Sequence, residues 1–103
     1  GTLYNPEIRR MLETDNEKIG LKLDFKTDDD DKEGWFSRSD HYVLALKSIP
    51  QVFFNTGEHP DYHTENDTWD RINYDKFEKI ARLVFLNTLN IANSAARPKF
   101  NPN

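Results

Sequence analysis

The chain has 103 residues, enough for one small domain, and a net charge of −4. Its residues are 36% hydrophobic and 31% charged, yet 13% are aromatic, which marks a chain that folds rather than one that stays disordered. No basic stripe is present to meet phosphates, which excludes nucleic acid as a partner, and the absence of cysteine excludes disulfides and thiolate metal sites.

Any metal must therefore be held by histidine and carboxylates, a donor set that suits zinc or oxygen-preferring ions. No apolar run approaches the roughly 20 residues of a membrane span. Gly1-Thr2-Leu3-Tyr4 lacks the basic start and apolar core of a signal peptide.

Asn5-Pro6-Glu7 predicts a helix start, with a capping residue, a proline for the first turn and an acid at the positive helix end. Ile8, Met11, Leu12 and Ile19 form its apolar stripe, and Gly20 is a natural stop. Leu21-Lys22-Leu23-Asp24-Phe25 alternates apolar and polar, the pattern of a half-buried strand. Residues 27–34, with Asp28 to Asp31 in a row, read as a solvated acidic loop without the ligand spacing of an EF-hand.

Ser39 can cap a short helix through Asp40, His41, Tyr42, Leu44 and Leu46, which Pro50 ends. Gln51-Val52-Phe53-Phe54-Asn55 is an apolar run bounded by breakers and reads as a buried strand. Thr56 to Asp70 is a long loop with two of the three histidines, and long ordered loops usually carry function. From Asp75 to about Ala95 the chain reads as its longest helix, with Phe77, Ile80, Ala81, Val84, Phe85 and Thr88 as the core stripe, widened by Leu83, Leu86, Leu89 and Ile91. Residues 97–103 read as a polar, frayed tail.

Helix, strand, short helix, strand and long helix predict an α/β layer with a parallel or mixed sheet. Two strands do not make a stable sheet, so the sheet is incomplete as read. Either the chain oligomerises through its apolar helix face or more of the sheet lies outside this sequence.

The chemistry concentrates in Thr56-Gly57-Glu58-His59-Pro60-Asp61-Tyr62-His63-Thr64-Glu65-Asn66-Asp67-Thr68. His59 and His63 are four apart, but Pro60 and Gly57 rule out a helix that would aim both at one metal. The loop follows an expected strand, and ligands in open α/β sheets gather at the carboxyl ends of strands.

Arg38-Ser39-Asp40-His41, Ile49-Pro50, Thr56-Gly57, His59-Pro60-Asp61-Tyr62-His63-Thr64, Asp67-Thr68 and Ile72-Asn73-Tyr74 resemble, in order and spacing, a known signature. It is the C-terminal signature of the co-catalytic two-zinc aminopeptidases, a superfamily with glutamate carboxypeptidase II and the animal-type glutaminyl cyclases. The resemblance runs over about residues 3 to 95.

It implies that His63 is a zinc ligand, whose second ring nitrogen needs an acceptor to fix its tautomer. Asp67 is placed either to be that acceptor or to cap the turn. The resemblance also implies that the Tyr62 hydroxyl faces the reacting carbonyl and that Arg38 faces substrate. Asp40 and His41 match residues that are not ligands in the family and are expected to hold loop and helix in place. His59 has no family role and is read as structural.

Relatives use two zinc ions, a bridging carboxylate and a separate glutamate base. The His-Asp and Glu-Glu motifs that supply these are missing here, and Glu58, Glu65 and Asp61 do not match them. The expected function is thus the C-terminal part, over residues 1–103, of a zinc exopeptidase domain that acts on peptides. It is expected to be an aminopeptidase, inactive as an isolated chain, from a secreted or periplasmic parent. The other readings are a glutaminyl cyclase-like acyltransferase, whose relatives favour tryptophan where Tyr62 stands, and a non-catalytic receptor-like binding domain, which would have no need of His63. Partners are then the remainder of the catalytic domain or an oligomer mate, with no nucleic acid and no membrane.

Overall fold

Pro6 at the first turn and Glu7 beside it start helix α1, Pro6–Asn16, where the sequence places it. Asn5 is fully buried, and its amide donates to the Gln51 carbonyl at 3.0 Å, tying the helix start to a distant segment. The helix closes at Gly20, whose φ of 81° suits glycine and whose N–H reaches the Asn16 carbonyl at 2.7 Å. Residues 2–102 are described by the structure, a computed structural model. Gly1 and the last residue of the expected tail, Asn103, lie outside the described residues.

The acidic stretch is not a loose loop. Helix α2, Lys26–Asp29, occupies its first half. Asp28 accepts from the Thr2 hydroxyl and the Leu3 N–H. Asp29 takes a two-pronged bond from Arg9 at 2.7 and 3.1 Å, and the same guanidinium lies 4.0 Å over the Phe25 ring. Asp31 accepts from the N–H groups of Trp35 and Phe36 at 2.6 and 2.8 Å. Three of the four aspartates therefore staple α1, α2 and the following turn together.

Helix α3, His41–Ala45, is shorter than predicted, with Asp40 at its N-cap position. Helix α4, Tyr74–Ala92, is capped by Asn73, whose side-chain oxygen accepts from the Lys76 N–H at 3.1 Å. Helix α4 packs on α1, with Ile8, Leu12 and Leu83 buried. Beside them the buried Asp15 carboxylate accepts from the amides of Asn87, at 3.1 Å, and Asn90. Among the described residues no helix is long and apolar enough to cross a membrane.

The expected sheet is absent. Among the described residues there is no strand: 21–25 and 51–55 are irregular segments with no ladder between them. Both line one cleft of about 590 Å³, together with Leu12, Ile80 and Leu83. The fold class is therefore helical rather than α/β. Alternation dictates which side chains share a face, but a strand exists only when a second backbone accepts its hydrogen bonds. Here apolar side chains turn to the cleft without that pairing.

Within the predicted apolar face of α4, the widened edge rather than the central stripe is the part that is buried. Leu83, 1% exposed, and Asn87 face α1, whereas Phe77 and Phe85 are 60% and 68% exposed. With no layer on its other side, the broad apolar face of α4 is covered along one edge only. The tail, by contrast, is docked. The Asn101 N–H reaches the Tyr4 carbonyl at 2.7 Å, the Lys99 N–H reaches Glu7 at 3.2 Å, and Phe100 stacks on Tyr4 at 5.8 Å.

The exposed surface is 7788 Å² for a chain of 12.1 kDa. A folded monomer of that mass exposes about 6,000 Å². The radius of gyration is 14.7 Å, against about 13 Å for a compact chain of this length. The molecule is open, and the open side carries the apolar face of α4.

Candidate active site

The segment 51–55 leads straight into the loop that carries Tyr62 and His63. Asn55 turns the chain by accepting from the Gly57 N–H at 3.1 Å, and Gly57 takes a φ of 80°. A tight turn follows, in which both the N–H of Thr64, at 3.0 Å, and its hydroxyl, at 2.7 Å, donate to the Asp61 carbonyl.

Inside that turn His63 has a φ of 56°. The left-handed region costs a residue with a Cβ about 1–2 kcal/mol. The two bonds onto the Asp61 carbonyl contribute about 1 kcal/mol each and offset that cost. Histidine is among the non-glycine residue types enriched in this region, and Ser48 shares the conformation with a φ of 54°.

His63 is exposed, and its ring lies 4.0 Å from the half-buried Tyr62 ring. Tyr62 also meets the edge of His59 at 6.2 Å. Asp67, expected beside His63, stands 3.8 Å from His59 Nε2 instead. His59 thus closes the loop across the turn, while the imidazole of His63 faces solvent.

The remaining candidate residues gather elsewhere. Arg38 lies over Trp35 at 5.7 Å and donates to the Glu33 carbonyl at 3.5 Å, and no contact among the described residues joins it to Tyr62 or His63. Asp40 is exposed at the start of α3.

His41 stacks face to face on Phe53 at 4.7 Å and meets Phe36 edge-on at 5.4 Å. Burial pushes its pKa below the ordinary histidine value, because the charged ring would lose its hydration there. The His41–Phe53 stack joins α3 to segment 51–55.

Sequence reasoning missed the tie that holds the loop. Arg71 Nη1 bonds the Asp61 carboxylate at 2.9 Å. Opposite charges ten positions apart, on either side of the turn, are the only signal in the sequence, and nothing in spacing alone selects them.

The sequence of this site belongs to a recognisable class. The model of peptidase family M28 matches residues 3–88, well over half of the chain, which places it among the zinc-dependent metallopeptidases. The chain belongs to peptidase family M28. Among curated proteins and among solved structures, no match is found.

The donor chemistry can be set against that class. An exposed imidazole at a turn apex, with no hydrogen-bond acceptor among the described residues, fits one zinc ligand. Among the described residues no group of three or more His, Asp or Glu side chains could hold a metal ion. The residues present fit one corner of a zinc site and not a whole one.

Proposed function

We propose that this chain forms one wall of the active site of a zinc-dependent exopeptidase, with an aminopeptidase as the specific activity. His63 supplies one zinc ligand, and the observation that carries this is its left-handed backbone at an exposed turn within the family match. A zinc ion there supplies Lewis acidity toward water and toward a peptide carbonyl.

Tyr62, packed against the ligand ring, is the group that donates a hydrogen bond to the developing oxyanion. Arg38 is the candidate substrate contact, and it lies over Trp35, without a contact to Tyr62 or His63 among the described residues.

The other ligands and the general base come from outside residues 2–102. The excess of roughly 1,800 Å² of exposed surface supports this, as does the Gln51 side chain, which is buried without a hydrogen-bond partner. The substrate is a peptide with a free amino terminus. The isolated chain hydrolyses nothing.

Two measurements test this. The chain with added zinc should release no chromophore from an aminoacyl 4-nitroanilide, and robust release would overturn the claim that the site is incomplete. The longest product of the same gene should hydrolyse that substrate and lose both activity and bound zinc on His63→Ala. Full activity and full zinc content in that variant would remove His63 from the site.

A further inference from the structure

We propose that Arg71 is a positioning residue, which holds the turn that sets His63 in its left-handed backbone. This rests on the reading of His63 as a ligand and deepens it.

Residues 58–67 are nearly all at the surface, and most of their bonds are internal to the loop. Among the described residues, the Arg71–Asp61 bond at 2.9 Å is the one hydrogen bond from a side chain of this loop to a residue outside it. That tie falls on the residue whose carbonyl carries the turn, since Asp61 accepts both the N–H and the hydroxyl of Thr64.

Arg71 is itself anchored. It ends a 3₁₀ turn, Trp69–Arg71, whose Trp69 carbonyl accepts from the Tyr74 hydroxyl at 2.7 Å. Tyr74 opens α4, the longest helix. A continuous path therefore runs from α4 through Tyr74, the 3₁₀ turn, Arg71 and Asp61 to His63. The carboxylate of Asp61 is more shielded than the guanidinium, with 25% against 59% of the side chain exposed. The ion pair thus works at its inner end, where water screens it less.

The left-handed turn competes with relaxed loop conformations, and a ligand binds with an apparent affinity scaled by the competent fraction. Losing a partly exposed ion pair lowers that fraction by about two- to fivefold. The test uses both the chain itself and the longest product of its gene.

In the chain, nuclear magnetic resonance reads the temperature coefficient of the Thr64 amide proton and the backbone coupling of His63. In Arg71→Ala both should move toward random-coil values, in Arg71→Lys they should move part of the way, and the exchanged pair Asp61→Arg/Arg71→Asp should restore them. In the longer product, competition with a chromophoric chelator should show zinc held about two- to fivefold more weakly in Arg71→Ala and regained in the exchanged pair.

Unchanged Thr64 and His63 signals in Arg71→Ala overturn the proposal. So does zinc affinity that depends on His63 but not on Arg71. Zinc content indifferent to His63→Ala removes the ligand reading and the positioning role with it. In that case the turn signals still respond to Arg71, which separates the two failures.

Discussion

The contact of α1 with α4 and the loop from Thr56 to Asn73 are built on opposite terms. The first is dry. Ile8, Leu12 and Leu83 are buried, and the one carboxylate among them, Asp15, is satisfied by two asparagine amides. The second is almost wholly in water and is held by a turn, two weak ring contacts and an ion pair. The first region spends its sequence on stability, and the second places one imidazole at an exposed left-handed turn. The difference teaches that the chemistry of this chain can be damaged with little cost to its fold, and the reverse.

The sharpest way to break that contrast is Leu83→Ala. Removing a fully buried leucine leaves a cavity, and the chain should lose about 2–5 kcal/mol, read from urea unfolding. A loss below about 1 kcal/mol would mean that α1 and α4 are not the stable centre. Asp15→Ala comes next. It strands the buried Asn87 amide and should cost about 1–3 kcal/mol while leaving the His63 backbone coupling unchanged.

Acid sharpens the comparison further. His41 has a lowered pKa in the fold, so the unfolded chain binds its proton first. Stability should be full above the ordinary histidine value near 6.5 and fall as pH drops through it toward the folded value. His41→Phe should flatten that dependence.

A second acid loss should follow below the ordinary aspartate value of 3.8. Both Asp28 and Asp29 are held below it. For Asp28 burial opposes ionisation but is outweighed by a set of bonds and charges that includes the Thr2 hydroxyl and the Leu3 N–H, and for Asp29 the Arg9 bond dominates.

The smallest effect belongs to the loop. His63→Gly relieves the left-handed backbone and should leave thermal stability unchanged or raise it by up to about 1 kcal/mol, although the candidate ligand is gone. A clear loss of stability would show that the loop is part of the core after all.

The family was more legible in sequence than the fold, and the candidate site residues rest on that family motif. Tyr62 and His63 could be singled out because a ligand motif is a local string and Pro60 visibly bars a helical pairing with His59. The starts of α1 and α4 were legible too, since capping and proline at the first turn act within a few residues.

The two expected strands failed for a different reason. Leu21 to Phe25 and Gln51 to Asn55 do alternate or run apolar, yet a strand is a property of two backbones, and among the described residues neither segment is paired in a ladder. Phe77 and Phe85 were read as core because periodicity reveals an apolar stripe without revealing which part of it meets a neighbour.

By itself, then, the sequence determined the starts of α1 and α4, the absence of any thiolate chemistry and the loop that bears the candidate ligand. Each of these depends on residue type and short-range spacing. Only the tertiary structure decided that Leu83 rather than Phe85 is buried, that three of the four aspartates are staples and that Asp67 serves His59. It alone paired Arg71 with Asp61. Those outcomes depend on which distant groups share a surface, and bonds across such gaps follow from packing rather than from any pattern along the chain.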